Sequence, residues 1–176
     1  MGATPGLVAI ARRIKPELAT LVPERRQELT TEGGLDVVKL KPKIRGAVSR
    51  LHERGVAVSL FIDPTMAQVE ASKDVGADMI EIHTGEYANA RTQTSASSHL
   101  RQISKIAAAG RSLGLGVNAG HGLDYKNIEA FCAIREVEEV SIGHAIIVRA
   151  VDVGLGAAVK EMVELIARGV ERNGKK

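Results

Sequence analysis

The run Val117-Asn118-Ala119-Gly120-His121-Gly122-Leu123 takes a short apolar segment to a polar residue and then holds a histidine between two glycines. Glycine removes the bulk that keeps a ligand from the backbone, and it permits turns that other residues resist. An imidazole titrates at roughly 6.5 when unperturbed, so His121 suits proton transfer at neutral pH. Farther on, Val140-Ser141-Ile142-Gly143-His144 repeats the pattern, and a helix-like segment follows at once. Gly143 and His144 would open that helix, where free N–H groups and the helix dipole attract anions. The two ends together read as one site for an anionic ligand, with imidazole chemistry in it. Metal ligation by His121 and His144 is the alternative, although no carboxylate stands at a supporting spacing.

Other residues are more ambiguous. In Ile80-Glu81-Ile82-His83 the acid alternates with apolar neighbours, so Glu81 points away from the two isoleucines. A carboxylate facing a barrel interior is costly unless paired. Glu81 is therefore either functional or a solvated edge residue, and His83, of the same parity, reads as structural. Thr30 and Thr31 precede Glu32-Gly33-Gly34. Hydroxyls beside a flexible glycine pair suit a phosphate or hydroxyl ligand on a moving loop, and a plain surface turn is the alternative. Cys132 lies in the apolar run Ala130-Phe131-Cys132-Ala133-Ile134 and reads as core packing. His52 and His99 fall in polar helical settings and read as surface residues.

The elements that must position these groups alternate. Thr4 caps a first helix with Pro5 in its first turn, and Leu7, Val8, Ile10, Ala11 and Ile14 recur at helical spacing. Strands are expected over 18–22, 56–62, 79–83, 115–118 and 139–142. Helices are expected over 41–54, 65–75, 100–113, 125–134 and 155–167, with a short one beginning near 143 and a polar stretch over 85–98. Such alternation predicts parallel βαβ units. Glycine-rich polar segments follow the strand ends, whereas the opposite connections (Arg54-Gly55, Gly76-Ala77, Gly114) are short. That asymmetry belongs to a β/α barrel or a doubly wound sheet, with function at the strands' carboxyl ends. No GxGxxG opens a helix and no GxxxxGK[ST] is present, which removes the common nucleotide-binding loops.

Composition narrows the rest. The 176 residues make one domain with room for a core. Basic and acidic residues number 24 and 21, a mixed balance of +3 that gives no case for nucleic acid, and an aromatic content of 2% leaves no base-stacking platform. A single cysteine excludes an internal disulfide and a cysteine-rich zinc site. No apolar run reaches the roughly 20 residues of a membrane span, and Met1-Gly2-Ala3-Thr4-Pro5 lacks the blocks of a signal peptide. A cytoplasmic protein is expected.

Five ordered motifs then carry a resemblance: LVPERRQELTTEGGLDV (21–37), VSLFID (58–63), IEIHTGEYA (80–88), VNAGHGL (117–123) and SIGHAIIVRAV (141–151). Across essentially the whole chain the sequence resembles the pyridoxine 5′-phosphate synthase family. The resemblance implies a (β/α)₈ barrel, no cofactor, a cytosolic homo-oligomer (an octamer in the family), and phosphorylated small-molecule substrates rather than nucleic acid or membrane. The implied reaction condenses 1-deoxy-D-xylulose 5-phosphate with 3-amino-2-oxopropyl phosphate to pyridoxine 5′-phosphate, phosphate and water, in vitamin B6 biosynthesis. It further implies that His121 is the proton donor and that Glu81 stabilises a transition state. Thr30 would contact the deoxyxylulose phosphate, and Gly122, Gly143 and His144 would hold the aminooxopropyl phosphate. The family's first three strands, with further catalytic groups, have no counterpart here, as in a gene fragment or a mis-called start. Residues 1–176 are thus expected to form a single partial barrel of about five parallel βα units. Alone, that partial barrel is expected to show little or no turnover, to bind phosphate esters without catalysis, or to assemble with another chain.

Overall fold

A computed structural model of the chain describes residues 1–24 and 33–174, so Thr30 and Thr31 lie outside the described residues. Five strands carry the architecture: β1 (Leu18–Leu21), β2 (Ala57–Ile62), β3 (Met79–His83), β4 (Gly116–Gly120) and β5 (Glu139–Ser141). Each pairs in parallel with the next, in the order β1-β2-β3-β4-β5. A doubly wound sheet must reverse its strand order, and this one never does. The sheet is therefore a curled arc of a β/α barrel, with five of the eight strands that close such a barrel among the described residues.

The helices are α1 (Pro5–Ile14), α2 (Lys41–His52), α3 (Met66–Asp74), α4 (Gly85–Ala88), α5 (Gln93–Ser112), α6 (Ile128–Phe131), α7 (His144–Val153) and α8 (Leu155–Gly174). Threonine hydroxyls cap three of them. The hydroxyls of Thr4, Thr65 and Thr92 accept from the N–H of Leu7, Gln68 and Ser95 at 3.3, 3.4 and 3.1 Å, which satisfies donors a helix start leaves unpaired. The Thr92 cap starts α5 at Gln93 rather than near 100. Its first two turns, residues 93–99, are Gln, Thr, Ser, Ala and His, with no apolar period to reveal them. Conversely α6 is shorter than the expected 125–134. The Asp124 carboxylate accepts from the N–H of Lys126 and Asn127 at 2.8 and 2.9 Å, so the chain closes a turn there before the helix begins.

The two faces of the sheet differ sharply. Ala19, Leu21, Val58, Leu60, Ile62, Ile80, Ile82, Val117 and Ala119 alternate onto one face and are all buried with the helices' apolar residues. The other face carries Thr20, Ser59, Phe61, Glu81, His83, Asn118 and Ser141 (the register sets Phe61, Glu81, Asn118 and Glu139 in one row, then His83, Gly120 and Ser141 in the next). Packing energy thus resides on the helix side, which leaves the concave side free to carry polar groups.

Gly46 tests the helix layer. It sits exposed inside α2, and an added Cβ would meet nothing within 4 Å. Gly46→Ala is expected to stabilise the protein by about 0.5–1 kcal/mol, because alanine has less backbone freedom to lose. Urea denaturation measures it, and a fall in midpoint would contradict this account.

Candidate active site

The carboxyl ends of β3, β4 and β5 open on a cavity of about 1310 Å³ whose lining includes Phe61, Glu81, His121, Gly122, Ser141, Gly143 and His144. All the singled-out residues inside the described range, Glu81, His121, Gly122, Gly143 and His144, therefore share one cavity. Each is placed by its strand. Glu81 faces inward by the alternation of β3, and His121 follows β4 directly. Gly143 precedes α7, whose first turn contains no acidic residue that would oppose an anion.

Glu81 is half-buried, and burial pushes its carboxyl above the ordinary range, while a hydrogen bond with Ser141 pulls the other way. The room for it comes from Gly120, where a Cβ would stand 2.5 Å from Glu81 Oε1 and 3.0 Å from Ser141 Cβ. Asp63 behaves oppositely. It accepts hydrogen bonds from His83 Nδ1 at 3.0 Å and from the Gly34 N–H at 2.8 Å, and these hold its carboxyl below the ordinary range.

These opposite shifts have opposite signs in stability. The raised Glu81 contributes stability at pH below the ordinary glutamate range, and that contribution is lost as pH rises through its folded value. Asp63 contributes above the ordinary aspartate range and loses it as pH falls through its lowered value. Glu81→Gln is therefore expected to gain on the native protein as pH rises past the ordinary carboxyl range, whereas Asp63→Asn gains only toward acid. Urea midpoints across pH read both, and parallel profiles would refute the assignment.

His121 occupies the left-handed region with φ of 79°, as does Gly122 with φ of 80°. Beside it stands His83, only 7% exposed, with ring centroids 5.0 Å apart and planes at 55°. Phe61 lies edge-on to both rings, at 5.1 Å from His83 and 6.4 Å from His121. The loop beyond is fixed, since Asn127 Nδ2 donates to the Gly122 carbonyl at 3.1 Å and Tyr87 donates its hydroxyl to the Asn127 carbonyl at 2.7 Å. The arrangement can bind an anion at α7 and transfer protons from imidazole.

Sequence spacing alone does not point to Asp63, Thr84 or Ser141. Asp63 shares the inward parity of Phe61, a signal that was present. Ser141 becomes noticeable only once the register sets it beside Gly120.

Comparison with known proteins now decides the family. The sequence model described as Pyridoxal phosphate biosynthesis protein PdxJ matches residues 1–168. The chain belongs to the PdxJ family. Its relatives include the pyridoxine 5′-phosphate synthase of Trichlorobacter lovleyi, 55% identical over 96% of this chain and 70% of that protein. The synthase of Geobacter metallireducens is 55% identical over 94% of this chain and 70% of its own length. That of Prochlorococcus marinus strain MIT 9211 is 49% identical over 98% and 71%. The PdxJ relatives are thus enzymes of vitamin B6 biosynthesis. A crystal structure of the Amycolatopsis orientalis BexX/CysO complex shares the fold, with a TM-score of 0.63 at 15% identity, over 95% of this chain and 61% of the matched one.

Proposed function

We propose that this cavity binds the phosphorylated substrates of pyridoxine 5′-phosphate synthesis and carries proton transfers in the condensation of 1-deoxy-D-xylulose 5-phosphate with 3-amino-2-oxopropyl phosphate. The observation that carries the reading is the convergence of Glu81, His121 and the Gly143–His144 helix start on one cavity.

In this reading the Gly122 backbone and the start of α7, with His144 beside it, hold the phosphate of the aminooxopropyl substrate, where N–H groups and dipole favour anions. His121 donates protons to departing oxygens, as a general acid set on the cavity wall. Glu81 faces the positive charge that develops as the amine condenses with the ketone, and a half-buried carboxylate acts more strongly there than one in water. Thr30 is assigned to the deoxyxylulose phosphate by resemblance.

Calorimetry with 3-amino-2-oxopropyl phosphate tests the site. Saturable binding, weakened several-fold by His144→Ala, is expected. No binding at millimolar ligand would overturn the reading, and binding without phosphate release on adding the second substrate would leave the chain a phosphate-ester binder. The proposed homo-oligomer has surface available. Ile147, Val151, Leu155 and Val163 on α7 and α8 are exposed, Val151 at 84%. Sedimentation that shows only monomer over a wide concentration range would remove it.

A further inference from the structure

We propose that Thr84 is a positioning residue for His121: its hydroxyl and N–H grip the Gly120 and His121 carbonyls and hold His121 in the left-handed conformation that turns its imidazole to the cavity. For its catalytic consequence the proposal rests on the function proposed above. Its geometry does not.

Thr84 is an exception among the threonines that begin helices. Thr4, Thr65 and Thr92 are extended residues, and each turns its hydroxyl back on its own helix. Thr84 also precedes a helix, α4, but makes no side-chain bond to it. It is fully buried instead, and its hydroxyl proton is shared between the carbonyls of Gly120 at 2.8 Å and His121 at 2.6 Å. Its N–H donates to the Gly120 carbonyl as well, at 2.9 Å. A helix cap has been exchanged for a clamp on the neighbouring strand end.

The clamp acts on the one backbone segment that needs it. A side-chain-bearing residue at positive φ persists only where its surroundings over-determine it. Among the described residues His121 shares that condition with Lys15 alone, and Lys15 merely ends α1. The other walls of the His121 pocket are tight. A Cβ on Gly85 would stand 2.7 Å from His83 Nε2 and 3.5 Å from His121 Cδ2, and one on Gly122 would stand 2.6 Å from Ala88 Cβ. α4 thus lies close to the ring through Gly85 and to the following residue through Ala88, while Thr84 holds the carbonyls. Asp63 fixes the His83 ring against which His121 packs. Backbone and ring of His121 are both set by the Asp63, His83, Thr84 and Gly85 group.

Thr84→Val keeps the shape and removes the hydroxyl, while Thr84→Ser keeps the hydroxyl and removes the methyl. Heteronuclear NMR of the full chain reads the Cα and Cβ shifts of His121, which report φ, and its ring-proton shifts, which report the neighbouring His83 and Phe61 rings. In Thr84→Val the His121 shifts are expected to leave left-handed values and lose the ring-current displacement, and in Thr84→Ser both are retained. Wild-type His121 shifts in a folded Thr84→Val overturn the proposal. If that variant does not fold, Thr84→Ala is read by the same criterion, and failure of both to fold reduces Thr84 to a structural residue and also overturns it. Whatever phosphate release the chain supports is expected to fall on the order of 10²-fold in Thr84→Val with KM little changed, as for a small misplacement of a catalytic group. If His121→Asn releases phosphate at the native rate, the proposed function fails while the NMR result still decides the geometry.

Discussion

Replacing His121 by asparagine is expected to slow whatever phosphate release the chain supports from the two substrates by about 10²–10⁴-fold, the usual loss when a general acid is removed. Asparagine is the informative replacement because of the backbone. His121 sits at φ of 79°, where alanine or a β-branched residue adds strain of its own, whereas asparagine enters the left-handed region more readily than most. Its amide can also occupy a polar position, but it neither gains nor loses a proton near neutral pH. The variant therefore separates proton donation from loop geometry. Single-turnover measurements resolve slow rates and avoid product release. Calorimetric affinity for the aminooxopropyl phosphate is expected to change only a few-fold, since the phosphate is assigned to the Gly122 backbone and the start of α7. A native rate in His121→Asn would remove imidazole from the chemistry. A large loss of affinity with little loss of rate would instead make His121 a binding residue.

Much of this arrangement was legible in the chain, for identifiable reasons. The bounds of β3 follow from the clean alternation of Ile80-Glu81-Ile82-His83, and the same alternation places Glu81 inward. The Gly120-His121-Gly122 signal was local, since both flanking glycines meet physical demands at their own positions. Gly120 clears space for Glu81, and Gly122 lies at positive φ against Ala88. What the sequence withheld was long-range. Asp63 and His83 meet only through the pairing of β2 with β3, and Thr84 meets Gly120 only through the pairing of β3 with β4. The choice between a barrel arc and a doubly wound sheet likewise depended on strand order, which no local pattern encodes. The start of α5 was hidden for a different reason, because polar, small residues form its first turns and a cap rather than a hydrophobic face fixes its origin.

Gly34→Ala is expected to destabilise the protein by about 3 kcal/mol, the upper end of the usual cost of overpacking. The sequence suggests that Gly33 and Gly34 act together as a flexible pair, but their surroundings differ. A Cβ on Gly33 would meet only the Asp63 carboxylate, at 3.5 Å and beyond, which is ordinary contact. A Cβ on Gly34 would stand 2.3 Å from the Asp63 nitrogen, 2.4 Å from the Ile62 carbonyl carbon and 2.7 Å from Ile62 Cα. Those are backbone atoms at the end of a buried strand, so neither partner can yield by changing a rotamer. The segment cannot simply move away either. The Gly34 N–H is bonded to Asp63 Oδ1 at 2.8 Å, the Leu35 N–H to the Phe61 carbonyl at 2.6 Å, and the Leu35 side chain is buried. Whichever contact gives way, Asp63 loses part of what orients His83, and the wall behind His121 loosens. Urea denaturation should therefore show a large fall in midpoint for Gly34→Ala and almost none for Gly33→Ala. The His121 ring-proton shifts should move in the first variant and not in the second. Equal midpoints for the two would show that this glycine serves freedom of motion rather than close approach to β2.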